Sequence, residues 1–72
     1  MLYKRIKELR EDHDKKQSEI AEVLNTTQAN YSYIENGIAN LKAEEIRKLC
    51  LYYGVSADYI LELPENLKYP KQ

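Results

Sequence analysis

The chain has 72 residues, room for one domain and no more. Its 11 basic and 12 acidic side chains leave a net charge of −1, so bulk charge gives no argument for nucleic acid. A single cysteine, Cys50, excludes an intrachain disulfide and, with only one histidine, a zinc cluster. That composition fits a reducing cytoplasm, and no cofactor or metal is expected. The opening MLYKRIKELREDHDKK is charged throughout and lacks the apolar stretch of a signal peptide, and no apolar run approaches the ~18 residues of a membrane span. A soluble cytoplasmic protein without a membrane segment is expected. Seven tyrosines with no Phe or Trp supply apolar bodies with polar tips, suited to half-buried positions and interfaces.

Five helices are predicted in chain order. The first spans 2–14, with Leu2, Ile6, Leu9 and His13 at helical spacing. The second is short, 17–24, with Ile20, Ala21 and Leu24 as its stripe, and Asn25 follows as the non-glycine residue best suited to a left-handed stop. Thr27 is placed to cap a third helix, 28–36, which stops at Gly37. The fourth, 43–53, carries Ile46, Leu49, Cys50 and Tyr53, has Glu44 and Glu45 where the dipole favours them, and ends at Gly54. Ser56 caps a fifth, with Ile60 and Leu61, that halts at Pro64. Residues 1–63 form the expected domain and 64–72 a polar, extended tail with two prolines; no strand, repeat or internal boundary is expected.

Helices two and three are separated only by NTT, and small Ala21 permits close approach, so the pair reads as a helix-turn-helix. At about 100° per residue, Tyr31, Ile34 and Glu35 share the inner side of the third helix, with Asn30 at its edge. Gln28, Ala29, Ser32, Tyr33 and Asn36 occupy the other side. That side bears no carboxylate to repel phosphate; Gln can pair with adenine N6 and N7 together, and Ala can meet a thymine methyl. A merely solvated face is the alternative, although such faces usually carry Lys and Glu.

The run QSEIAEVLNTTQANYSYIENG, with RIKELRED before it and LCLYYGVSADYIL after it, resembles the phage-repressor and Cro-like helix-turn-helix family, also called the Xre family. The resemblance covers about 5–61 and rests on Q-x-E-x-A at 17–21, IENG at 34–37 and GVS-x-D-x-(I/L)-L at 54–61. It implies an all-α, five-helix, lambda-repressor-like fold and a dimer that binds palindromic operator DNA with the third helix in the major groove. By position it makes Gln28, Ala29, Ser32 and Tyr33 base-facing. It gives Gln17 a phosphate and the task of bracing Gln28, and sets Lys16, Thr27, Asn36 and Lys42 along the DNA backbone. It makes Arg10 and Glu35 a partly buried structural ion pair and puts the dimer contact on the fifth helix, at Ala57, Tyr59, Ile60 and Leu63. The chain departs from the family pattern at Lys16, where Ser or Thr would cap the second helix, at Asn25 in place of Gly, and at Tyr33. It also departs at Ile38, Ala39, Asn40 and Leu41, where cations are common.

Elsewhere the plainer readings are preferred. His13 suits the C-terminus of the first helix, where positive character is favoured, better than a ligand role. Cys50 lies on an apolar stripe and reads as an inert thiol. Leu51, Tyr52 and Tyr59 exceed what one helix face can bury and point to a contact patch. No nucleophile, base and oxyanion arrangement or Gly-rich phosphate loop is visible, so no enzyme is expected, and no second region to sense a small-molecule effector is expected either. The expected function is a sequence-specific transcriptional regulator, a repressor by resemblance. The alternative is a protein-interaction module on the same scaffold, antitoxin-like or adaptor, with weak or no DNA binding.

Overall fold

Helix ends, more than helix interiors, set the course of this chain. The computed structural model describes residues 1–64 and 66–68; residues 65 and 69–72 of the expected tail lie outside the described residues. The helices are α1 (Lys4–Asp12), α2 (Gln17–Val23), α3 (Gln28–Glu35), α4 (Ala43–Tyr53) and α5 (Ala57–Leu61), with no strand among the described residues. All five run into a residue with positive φ: Asp14, Asn25, Gly37, Gly54 and Glu62 in turn. In each case the amide one position further on donates to a carbonyl of the last helical turn, as in Lys15 to Arg10 at 3.0 Å, Thr26 to Ala21 at 2.9 Å and Ile38 to Tyr33 at 2.8 Å. These bonds satisfy carbonyls that a helix end otherwise leaves bare. Asn25 and the two glycines match the stops read from the sequence. Asp14 and Glu62 add two that side-chain type did not announce, Asp being tolerated there because its short polar side chain bonds locally.

Helix starts are secured in two ways. Thr27 Oγ1 accepts the Asn30 amide at 3.1 Å and Ser56 Oγ accepts the Tyr59 amide at 3.2 Å. Lys16 and Lys42 stand at the starts of α2 and α4 with no side-chain oxygen to offer. There the carboxylate three residues on reaches back: the Lys16 amide donates to Glu19 at 3.0 Å and the Lys42 amide to Glu45 at 2.8 Å. Each is one half of a reciprocal capping box.

The core gathers Tyr3, Ile6, Leu9, Ile20, Ala21, Leu24, Tyr31, Ile34, Leu41, Leu49, Tyr53 and Ile60. α2 packs on α3, α1 on α3 and α5, and α4 on α2 and α5. α1 starts two residues later than the apolar spacing predicts. Leu2 is exposed and Tyr3 takes the buried place, because the stripe runs Tyr3, Ile6, Leu9 at steps of three. The Tyr3 hydroxyl accepts the Leu41 amide at 3.1 Å, tying the start of α1 to the loop between α3 and α4. His13 stays outside the core just past α1, with Nδ1 2.8 Å from the Leu9 carbonyl and its ring 5.0 Å from that of Tyr53.

Candidate nucleic-acid interface

Between α2 and α3 the chain turns within four residues, 24–27. Asn25, with φ of 55°, reverses the chain, the Asn25 and Thr26 amides satisfy carbonyls at the end of α2, and Thr27 follows at once to open α3. α3 is then pinned from within. Tyr31, Ile34 and Glu35 are buried against the other helices, and Asn30 is half-buried with its Nδ2 donating to Thr26 Oγ1 at 2.9 Å. The outer side holds Gln28, Ala29, Tyr33 and Asn36, all exposed, with Ser32 half-buried between them. Tyr33 keeps half of its surface, 50%, in solvent, a large aromatic fraction for a monomer to leave uncovered.

The inner side is anchored by charge. Arg10 donates from Nε to Glu35 at 2.6 Å and from Nη2 at 3.1 Å, and its Nη1 donates to the Lys15 carbonyl at 3.0 Å. Gln17 Nε2 donates to the same carboxylate at 3.2 Å. One side chain of α3 therefore holds α1 and the start of α2, while Arg10 itself holds the turn between them. Burial pushes the Glu35 carboxyl up, but the Arg10 hydrogen bonds, the adjacent Tyr31 hydroxyl, Gln17 and the Arg10 charge together hold it below its ordinary range. The bond to Glu35 raises Arg10 against the cost of burial. Burial, then the neighbouring carboxylate, pushes the Tyr31 phenol far above its usual range. The hydroxyls of Tyr31 and Tyr53 are buried without a hydrogen-bond partner of ordinary length, and burial pushes the Tyr53 phenol up to about 12.

Two expected roles are corrected by this geometry. Gln17 does not brace Gln28: its amide is turned inward to Glu35, which offers a charged acceptor where Gln28 offers a neutral one. Ile60 has no exposed surface and belongs to the core, so it has nothing to present to a second copy. The residues expected along the DNA backbone besides Gln17, namely Lys16, Thr27, Asn36 and Lys42, are all exposed. Lys15 leans on Glu19 at 3.9 Å, whereas Lys16 and Lys42 form no ion pair among the described residues. The Asn36 Nδ2 reaches Ser32 Oγ only at 3.5 Å, a weak contact that leaves both free for a better partner. On α5, Tyr59 and Leu63 are exposed and Ala57 is half-buried, with the Arg5 guanidinium 4.4 Å from the centre of the Tyr59 ring. Leu51 is exposed on the side of α4 turned away from Leu49.

Sequence reasoning missed Tyr3 as a tie between α1 and the loop after α3, and Glu19 as the group that steadies the start of α2. The signal for Glu19 was present, a Glu at the third helical position, but without the Ser or Thr that completes the usual pattern. Among the described residues no group of His, Cys, Asp and Glu side chains could hold a metal ion, and no helix is long and apolar enough to cross a membrane.

A family model described as Helix-turn-helix matches residues 6–60, from the buried Ile6 of α1 to the buried Ile60 of α5. Neither the curated proteins nor the solved structures hold a significant match. The matched span contains all of α2, the turn and α3, and the five-helix, all-α arrangement is the one that such a match requires. The chain belongs to the phage-repressor and Cro-like, or Xre, family of helix-turn-helix DNA-binding proteins.

Proposed function

We propose that the protein is a sequence-specific transcriptional regulator, a repressor, that lays α3 in the major groove of operator DNA. The observation that carries this reading is the two-sided construction of α3. Its inner side is locked by a buried ion pair and core aromatics, while its outer side is polar, small and free of carboxylates. A helix fixed so firmly from behind presents its free side chains with little conformational cost on binding. Gln28, Ala29, Ser32 and Tyr33 are assigned to base edges. Lys16, Thr27, Asn36 and Lys42 are assigned to phosphates, joined by the backbone amide of Gln17 at the start of α2. A second copy docks through Tyr59, Leu63 and the half-buried Ala57 of α5, so that two copies of α3 meet half-sites about 10 to 10.5 base pairs apart on a palindrome.

Gel retardation with an operator-like duplex across a salt series tests the assignment. Two unpaired exposed lysines flank the reading face, so the logarithm of affinity should fall against that of salt with a slope of about −2 per protomer. Gln28→Ala should cost roughly tenfold in specific affinity while sparing nonspecific affinity. A second reading, a protein-interaction module, is favoured by one feature: no Lys or Arg occurs between Thr26 and Leu41. Capture of a partner protein through α3, with no retardation of any duplex, would select it.

A further inference from the structure

We propose that the reading face of α3 is built for A·T pairs, recognising adenine through one amide and thymine through its methyl group, and that it carries no guanine reader. The inference deepens the DNA-reading assignment above and rests on it. Guanine shows two acceptors, N7 and O6, to the major groove, and Arg or Lys is their commonest specific partner. No Lys or Arg lies between Thr26 and Leu41, so α3 offers none, and the loop after it offers only Lys42 at its far end, which is assigned above to a phosphate.

The amides on α3 are not equivalent. Asn30 is engaged inward with Thr26, and Asn36 stands at the far end beside Ser32. Gln28 is exposed in the first turn, and its side chain forms no hydrogen bond among the described residues. It is thus the free amide at the leading end of α3, and the bidentate partner of such an amide is adenine, through N6 and N7.

Beside the polar Ser32 and Asn36, three exposed apolar groups lie on this face or just past it, which is unusual for a surface facing water. Ala29 is exposed, Tyr33 is 50% exposed, and Ile38, just past the helix stop, is 73% exposed. Ile38 is held beside the last turn of α3 because its amide donates to the Tyr33 carbonyl at 2.8 Å. Apolar groups gain from a groove only where it displays apolar surface, and among the four bases only thymine does so there, at its C5 methyl. A free amide at the leading end, with three apolar groups and no cation on α3, therefore favours adenine and thymine over guanine and cytosine.

The test begins with selection of preferred duplexes from random DNA by the full chain, followed by fluorescence anisotropy on substituted copies of the preferred duplex. Replacing a contacted thymine by uracil removes only the methyl group, and each such change should weaken binding by about threefold to fourfold. Replacing the adenine opposite Gln28 and its partner by an inosine·cytosine pair keeps the minor groove A·T-like but changes the major groove. It should cost the wild-type chain roughly tenfold and the Gln28→Ala chain almost nothing. A half-site with an indispensable G·C pair opposite α3, or affinity indifferent to uracil, overturns the inference and leaves the regulator assignment standing. Full affinity for the inosine duplex also overturns it, since groove shape would then be the feature read. Failure to bind any duplex at low salt brings down the regulator assignment, and this inference with it.

Discussion

Glu35 sits where three parts of the chain converge, and its side chain is almost wholly buried, so the cost of losing it is set by what stays behind. Glu35→Ala leaves the Arg10 guanidinium buried and unpaired and should destabilise the domain by ~3 kcal/mol or more, measured by thermal or urea unfolding. A melting temperature within a degree of the parent would contradict this. The pH dependence follows in sign. The folded-state pKa of Glu35 lies below its ordinary value of 4.5, so the ionised pair contributes fully above that value and its contribution disappears as pH falls through the folded pKa. Glu35→Gln should therefore be clearly less stable than the parent at pH 7, with the gap closing below about pH 4.5. The existence of the Arg10–Glu35 pair was legible in the sequence, because two charged residues were placed by resemblance on inward faces of helices that must pack. The direction of Gln17 was not. Its position near the start of α2 allows both a phosphate and a buried carboxylate as partners, and only the three-dimensional place of Glu35 decides between them for the side chain.

At the scale of the helix, ends were easier to read than interiors wherever one residue type suffices. Gly37, Gly54, Asn25, Thr27 and Ser56 all act as punctuation at the positions their chemistry suggests. Asp14 and Glu62 do the same work without an advance signal, because the bonds that close those ends come from backbone amides that every sequence carries. Periodicity misjudged the start of α1, since Leu2 and Tyr3 both fit an apolar stripe and the Leu41 amide of the loop favours the tyrosine. On α5, Ile60 fits both an interface and a core; with so few apolar residues in a small domain, the core takes it. The start of α2 offers a test. Glu19 already accepts the Lys16 amide, so Lys16→Ser adds the missing hydroxyl and completes the capping box. The gain should be about 0.5 to 1 kcal/mol in unfolding free energy, and the salt slope of DNA binding should become shallower by about 1, since one phosphate-facing cation is removed. Lower stability in this variant would show that the Lys16 stem packs in a way that outweighs the cap.

The whole molecule joins a firm scaffold to a nearly uncharged reading surface. In the proposed assignment the exposed, unpaired Lys16 and Lys42 supply the cations at the rim of that surface, and the remaining attraction for phosphate would come from helix N-termini and neutral donors. Low nonspecific affinity and a shallow salt dependence follow directly. Two copies brought together by α5 would double the contact, each with its own Lys16 and Lys42, which gives the exposed Tyr59 and Leu63 a purpose. Tyr59→Glu should hold the chain monomeric in sedimentation equilibrium at concentrations where the parent associates; a parent that shows no association would remove the α5 contact from the account. The five-helix fold was legible in nearly full outline, because stripes, stops and caps are local. The charge balance of the interface was legible as well, as an absence of Lys and Arg, whereas the inward turn of Asn30 and Gln17 was not. Backbone amide chemical shifts of the isotope-labelled full chain, followed while a selected duplex is added, test the central claim most directly. The account requires the largest shifts at Gln28, Ala29 and Tyr33 and at the amides opening α2 and α4, with the core of α1 and α5 unmoved. Shifts confined to α5 and the outer side of α4, or none at all at low ionic strength, would contradict it.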